Sequence, residues 1–228
     1  AVEEGGVLTR DFLINADCQS SFGRIDHELL LTPEQRKASL TEFLALLPAG
    51  LPVWVFGYGS LMWNPALDYS DVQPAMLEGW HRTFCIRLVA GRGTECRPGR
   101  MLALQAGGKT RGLVFRLSDA NKAEELELLW KREMLTGCYC PRWQPVTLDN
   151  GQQIIALVFT MNTLHPLFEA DECPTVVAPL IAMAQGPLGS NAQYLFELVN
   201  SLTALGEQDE KLLILASQVR ELQQSSAE

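Results

Sequence analysis

Apolar and polar positions alternate with three different rhythms along the chain, and each rhythm predicts a different kind of element. A helical rhythm opens at Thr32-Pro33-Glu34-Gln35, where Thr32 suits an N-cap, Pro33 the first turn and Gln35 the reciprocal capping contact. Leu40, Phe43, Leu44 and Leu47 then form one apolar stripe, so the helix should run through Leu46, and Pro48-Ala-Gly-Leu-Pro52 ends it. A short apolar run, Val53 to Phe56, is bounded by Pro52 and Gly57 and predicts a buried strand. Further strand patterns cover Thr83–Leu88, Met101–Leu104, Arg111–Leu117, Trp143–Leu148 and Ile154–Thr160. Asp149-Asn150-Gly151 supplies the positive-φ turn that joins the last two as a hairpin.

The helical rhythm returns from Asp119 to about Met134, with Ser118 as the expected N-cap and Gly137 beyond its end. It returns again over Pro174–Ala184, from Ser190, and from about Gln208 to Leu222, where Leu212, Leu215, Val219 and Leu222 keep 3-4-3 spacing. Strands cluster in the middle, and helices lie at the ends and across one connection. That order predicts an α+β protein with a small, mixed sheet, either open or closed. Residues 1–50 read as an N-terminal helical extension on a main domain of residues 51–228.

Composition changes this picture little. The 228 residues are 47% hydrophobic and 20% charged, an ordinary globular balance, with disorder expected only over Gln223 to Glu228. Charge narrows the function classes. The 18 basic residues are scattered among 27 acidic ones for a net −9, so no nucleic-acid partner is expected. The most apolar region, Leu40 to Leu67, is broken by prolines and glycines, and no membrane association is expected. Ala1 to Arg10 lacks the apolar stretch of a signal peptide. The six cysteines, at 18, 85, 96, 138, 140 and 173, then read as reduced thiols of a cytoplasmic protein. No metal-ligand spacing links them or His27, His81 and His165, and no cofactor motif is present.

Two features carry candidate chemistry. Gly57-Tyr58-Gly59-Ser60-Leu61 follows the first strand, where glycines let backbone N–H groups approach an anion. Met62 stands where a dinucleotide loop needs its third glycine, and no Gly-Lys pair marks a phosphate loop. The loop therefore suits a carboxylate or a developing oxyanion, or it is a plain strand-ending turn. The second feature is Glu133. Leu126, Leu129 and Trp130 define the core-facing stripe of the central helix, and Glu133 is its i+7 position, while Glu124, Glu125 and Glu127 fall on exposed or flanking faces and Glu127 can pair with Lys131. A carboxylate on an apolar stripe at a helix C-terminus is disfavoured in its charged form, which raises its pKa toward the range of a general base. Pairing with Arg132 or Arg142 is the structural alternative. The Gly-rich, basic segment Ala90 to Arg100 offers Arg92, Arg97 or Arg100 for a second carboxylate.

Five segments in order carry a resemblance: Val53-Trp-Val-Phe-Gly-Tyr-Gly-Ser-Leu-Met-Trp-Asn-Pro65, Gly79-Trp-His-Arg82, Pro98-Gly-Arg100, Trp130-Lys-Arg-Glu-Met134 with Gly137-Cys-Tyr139, and Asn191-Ala-Gln-Tyr-Leu-Phe196. Together they resemble the ChaC family of glutathione-specific γ-glutamylcyclotransferases over about Val53 to Leu205. The resemblance implies a small β-barrel with flanking helices, a γ-glutamyl-binding loop over Val55, Phe56, Gly57, Tyr58, Gly59 and Ser60, and Glu133 as the catalytic glutamate. It places Tyr139 and Tyr194 in the same cavity. The implied reaction converts glutathione to 5-oxoproline and cysteinylglycine without a cofactor. Two other readings share the sequence: a cyclotransferase for other γ-glutamyl amines or dipeptides, and a non-catalytic regulator of cation transport. Thr136-Gly137 stands where the family often has two glycines, a departure that touches loop shape rather than the carboxylate.

Overall fold

The computed structural model describes residues 8–16 and 21–227. Cys18 and residues 1–7, including most of the segment weighed as a signal peptide, lie outside the described residues. Five strands close into a barrel in the order β1-β3-β2-β4-β5. They are β1 (Trp54–Gly57), β2 (Tyr69–Leu88), β3 (Gly99–Leu117), β4 (Tyr139–Leu148) and β5 (Gln153–Met161). β1 runs antiparallel to β3 and parallel to β5, so the sheet of this α+β fold is mixed as expected, and it is closed.

Two strands are much longer than the sequence pattern predicts. β2 begins at Tyr69, not Thr83, and β3 is continuous across the gap expected between Leu104 and Arg111. Pro74 and Gly79 in β2, and Gly107-Gly108 in β3, read as turn signals but lie within the paired ribbon. Between the pairs Glu78↔Lys109 and Trp80↔Ala106, one residue of β2 faces two of β3, and Gly79, Gly107 and Gly108 all adopt positive φ. They absorb a β-bulge, and a residue with a side chain would be strained there. β4 likewise begins at Tyr139, four residues before the expected Trp143. The Asn150-Gly151 hairpin forms as expected, with Gly151 at φ 85°.

The helices are α1 (Arg10–Asn15), α2 (Pro33–Ala45), α3 (Lys122–Glu133), α4 (Pro174–Met183), α5 (Asn191–Ala204) and α6 (Glu210–Ser225). Thr32 and Gln35 form the full capping box of α2. α3 starts later than predicted: Ser118 opens a preceding turn by accepting from Asn121 N–H, and the helix begins at Lys122. α6 extends to Ser225, so the first half of the expected disordered tail is helical, and Leu222 is exposed rather than part of its buried stripe. No helix among the described residues is long and apolar enough to cross a membrane.

Two apolar clusters share the barrel wall. Phe56, Leu77, Leu102, Leu104 and Val158 join α4, α5 and α6 through Ile181, Leu195 and Val219. Val55, Leu117, Leu157 and Phe159 join α2 and α3 through Phe43, Leu126, Leu129 and Trp130. Burial on both sides explains why β1 reads as a continuous apolar run rather than an alternating one. The end of α3 is thereby fixed against the barrel beside the loop that leaves β1.

Candidate active site

A cavity of about 520 Å³ opens at the end of the barrel where β1 gives way to residues 58–64. That volume lies within the range of small-molecule sites. Tyr58, Gly59, Ser60, Leu61, Glu133, Tyr139 and Tyr194 all line it, although they come from four separate segments. Val55, Phe56 and Gly57 do not. The Val55 and Phe56 side chains are fully buried in the two apolar clusters, and Gly57 ends β1 paired with Leu113.

The loop after β1 closes a helix-like turn in which Met62 N–H donates to Gly59 O (2.9 Å) and Asn64 N–H to Ser60 O (2.8 Å). The amides of Gly59, Ser60 and Leu61 open this turn and are not consumed by its own bonds, the arrangement that makes such starts receptive to anions. Gly59 also sits against α5. A Cβ at that position would lie 2.5 Å from the Tyr194 hydroxyl, so glycine is required for the close approach.

Two arginines hold the loop from behind. Arg132 donates to Asn64 O (2.8 Å), Pro65 O (3.0 Å) and the Ser60 hydroxyl (2.9 Å). Its Nε lies 3.3 Å from Glu133 Oε1. Arg82 donates to Tyr58 O (2.7 Å) and to Arg111 O, bracing the loop against β3. Burial pulls the Arg82 guanidinium down to about 10, still well above neutrality, so it remains a cation. Sequence reasoning named Arg132 only as a pairing partner for Glu133 and gave Arg82 no role. The position of Arg132 beside the apolar stripe was the available signal.

Glu133 is the last residue of α3, and its side chain is 16% exposed. Burial raises its pKa, and the Arg132 charge opposes that rise. The helix C-terminus adds to the penalty on the charged form. The expected i+7 position at the cavity wall and the arginine pairing are thus both present. Three phenols surround the carboxylate. Tyr58 donates to Phe159 O (2.6 Å) and Tyr139 to Leu102 O (2.9 Å), which fixes both rings. Burial, reinforced by the Glu133 charge, lifts Tyr58 well above its ordinary pKa; Tyr139 is lifted likewise by burial and by its neighbours Tyr58 and Glu133. Tyr194 is pushed up to about 12 by burial and the Glu133 charge, with Ser60 pulling the other way. All three therefore stay protonated near neutral pH. Cys138 also lines the cavity, but burial pushes its thiol up to about 11, so it is a poor nucleophile.

The structure corrects three expectations about charged side chains. Glu125 is not on an exposed or flanking face: it is fully buried, bonded to Arg10 at 2.5 and 2.6 Å and accepting from Asp68 N–H at 2.9 Å. Lys131 reaches Ile14 O (3.5 Å) instead of pairing with Glu127. Of the three arginines in the Gly-rich segment, Arg92 lines the cavity, whereas Arg100 is buried against Phe84 O and Asp171 O and Arg97 is exposed outside it. His81 bonds Gly107 O and His165 bonds Thr136 O. No group of three or more potential metal ligands forms among the described residues.

The profile of a family described as ChaC-like protein matches residues 53–222. The chain is 55% identical over 216 residues to the glutathione-specific gamma-glutamylcyclotransferase of Escherichia coli (strain K12), an alignment covering 95% of this chain and 94% of that protein. It is 29% identical over 202 residues to the Schizosaccharomyces pombe protein of the same name, covering 79% of this chain and 98% of that one. A solved yeast γ-glutamyl cyclotransferase specific to glutathione superposes with a TM-score of 0.69 over 75% of this chain and 97% of its own, at 23% identity, which shows a shared fold.

Proposed function

The chain belongs to the ChaC-like family, and from that membership we propose that it is a glutathione-specific γ-glutamylcyclotransferase in which Glu133 carries the proton. The observation that carries the reading is one buried carboxylate of raised pKa in the cavity that the Gly59–Ser60 loop lines. The products are 5-oxoproline and cysteinylglycine. A cytoplasmic location is part of the same reading.

The substrate brings its own nucleophile. In the γ-glutamyl group the α-amine can fold onto the γ-carbonyl carbon and close a five-membered lactam. The free ammonium has a pKa of about 8, so a carboxylate tuned upward from its ordinary value is suited to take its proton. The amine nitrogen then bonds to the γ-carbon, and the former amide C–N bond breaks. Glu133 returns the first proton to the departing nitrogen, which leaves as an amine. The second proton, shed by the ring nitrogen as the lactam forms, is taken up by that amine to give its ammonium, so neither water nor an enzyme nucleophile is consumed. The amides of Gly59, Ser60 and Leu61 hold the α-carboxylate or the oxyanion, and the protonated Tyr194 hydroxyl supplies a further donor. Arg132 and Arg82 keep that loop in place, so the curled geometry is prepaid by the fold.

Incubation of the purified protein with glutathione, followed by mass spectrometry, tests the reading. Joint release of 5-oxoproline and cysteinylglycine is expected. Free glutamate would mean that water attacks, which overturns the cyclisation. Turnover of γ-glutamyl dipeptides or amines without turnover of glutathione would transfer the site to those substrates. No turnover of any of them would favour the binding-protein alternative.

A further inference from the structure

The cavity is lined by a further charged group. Arg92 contributes to its wall, and Nη1 donates to Ser190 O (2.9 Å) and to Gln193 Oε1 (3.3 Å). These contacts leave Nε and Nη2 without a protein acceptor among the described residues. No described carboxylate forms an ion pair with Arg92; Glu197 influences it only at longer range. Such a guanidinium has donors to spare and a fixed place from which to offer them.

That place is built into the backbone. Gly189 adopts φ 113°, and a Cβ there would stand 3.0 Å from both Arg92 Nη1 and Gln193 Oε1. Gly186 packs so closely on Gly91 that a Cβ would meet the Gly91 carbonyl at 2.3 Å, and Leu188 N–H donates to that same carbonyl (2.8 Å). The two segments that carry and brace Arg92 are thereby locked together. An exposed solvating arginine needs no such cradle.

We propose that Arg92 is a carboxylate subsite that binds the C-terminal carboxylate of the leaving dipeptide and so selects a γ-glutamyl tripeptide over γ-glutamyl amino acids and amines. The proposal rests on the reading that the reacting γ-glutamyl end lies at Glu133 and Tyr194. Both ends share one cavity: Arg92 lines it together with Glu133 and Tyr194, and Ser190 and Gln193, which hold Arg92, stand at the same end of α5 as Tyr194. Arg87, which also lines the cavity, is exposed and has no comparable cradle.

The test compares glutathione with its glycine carboxamide, which differs only in the missing negative charge. Equilibrium binding is measured by calorimetry on the Glu133→Gln protein, alone and combined with Arg92→Gln, Arg92→Lys or Arg87→Gln. With Arg92 present, glutathione should bind about 10- to 100-fold more tightly than the carboxamide, the range for a charge-assisted contact. Arg92→Gln should weaken glutathione by that factor and leave the carboxamide unchanged, bringing the ratio close to one. Arg92→Lys should keep an intermediate ratio, and it serves in place of Arg92→Gln if the latter fails to fold. In the active protein the same loss should fall on KM rather than kcat. Equal binding of the two ligands with Arg92 present, an unchanged ratio in Arg92→Gln, no binding of glutathione, or erasure of the ratio by Arg87→Gln would each overturn the subsite. Because binding is read without turnover, failure of the cyclisation itself shows separately, as the absence of 5-oxoproline from the unsubstituted protein.

Discussion

Arg132 and Glu133 are adjacent in sequence, yet Arg132 Nε lies 3.3 Å from Glu133 Oε1 while its other nitrogens hold Ser60, Asn64 and Pro65. One guanidinium therefore serves the carboxylate and the loop together. The Arg132 side chain is 3% exposed, so solvent does little to screen this coupling. The charge of the candidate base and the shape of the candidate anion site depend on the same residue.

Glu133→Gln removes the proton carrier while preserving side-chain shape. General acid–base contributions are typically about 10²–10⁴-fold, and this carboxylate is assigned both transfers. The expected outcome is a kcat reduced by at least about 10² with KM little altered. Steady-state kinetics on glutathione check it, and a near-normal kcat would remove Glu133 from the reaction.

The same substitution should stabilise the fold near neutral pH. The folded-state pKa of Glu133 is raised above its ordinary 4.5. Between the unfolded and folded values the folded chain binds the proton more readily, so stability falls as pH rises through that window and stays reduced above it. The neutral amide introduced by Glu133→Gln carries no such penalty. Thermal melts of both proteins should show a higher Tm for Glu133→Gln at pH 7, with the gap closing toward acid. A gap that widens on acidification would contradict the raised pKa.

Arg132→Met should act on both partners at once. The Arg132 charge lowers the Glu133 pKa against the effect of burial, so its removal lets that pKa climb further. A base works when deprotonated, and the rising acidic limb of kcat/KM should therefore move to higher pH. Arg132→Met also removes the donors to Asn64 O, Pro65 O and the Ser60 hydroxyl, and each acceptor left unsatisfied costs about 1–3 kcal/mol, which denaturant unfolding would register. An unmoved acidic limb in a folded variant would show that Arg132 does not tune the base.

The position of Glu133 was legible in the sequence because helix periodicity acts locally: Leu126, Leu129 and Trp130 set the stripe, and one turn later it contains a carboxylate. The Asn150-Gly151 hairpin was legible for the same reason. β2 was not, because its first half is largely exposed and interrupted by Pro74 and Gly79, which local rules read as breaks. Pairing with β3 seats Pro74 opposite Leu113 and turns Gly79 into a bulge that faces Gly107 and Gly108. Glu125 was misplaced because helical spacing cannot show Arg10 arriving from 115 positions away. Arg82 was likewise invisible as a brace, since its partners are backbone carbonyls of distant segments, whereas Arg92 was one of three arginines that the Gly-rich segment offered for a carboxylate.

Gly59 and Tyr194 provide a steric test of the loop. Gly59 does not require a positive φ, so Gly59→Ala changes only the contact with the Tyr194 hydroxyl, 2.5 Å from the added Cβ. Overpacking of this kind costs about 1–3 kcal/mol. Tyr194→Phe removes the clashing oxygen and leaves the ring Cζ 3.8 Å away, an ordinary contact. The double variant should therefore recover most of the stability lost by Gly59→Ala while remaining slow on glutathione, because the hydroxyl donor is gone. Additive losses in Tm would mean that the two residues are not in contact.

Arg10 and Glu125 tie the segment before α2 to the barrel side of α3. Glu125 is fully buried, whereas Arg10 is 36% exposed on its side chain, so the pair is half open to solvent. Removing Arg10 leaves the carboxylate with the Asp68 amide as its remaining hydrogen-bond donor among the described residues. An under-satisfied buried acceptor costs about 1–3 kcal/mol, and partial exposure of the pair favours the lower end. Leu8, two residues before Arg10, lines the cavity, and its carbonyl accepts from Asn64 in the Arg132-held loop (2.7 Å). Arg10→Ala should therefore lower Tm and also raise KM for glutathione, since the wall carried by Leu8 loses its anchor. Glu125→Gln combined with Arg10→Met removes both charges and should restore part of the stability. If Arg10→Ala lowers Tm but leaves KM untouched, the anchor serves the fold alone and the Leu8 wall does not contact substrate.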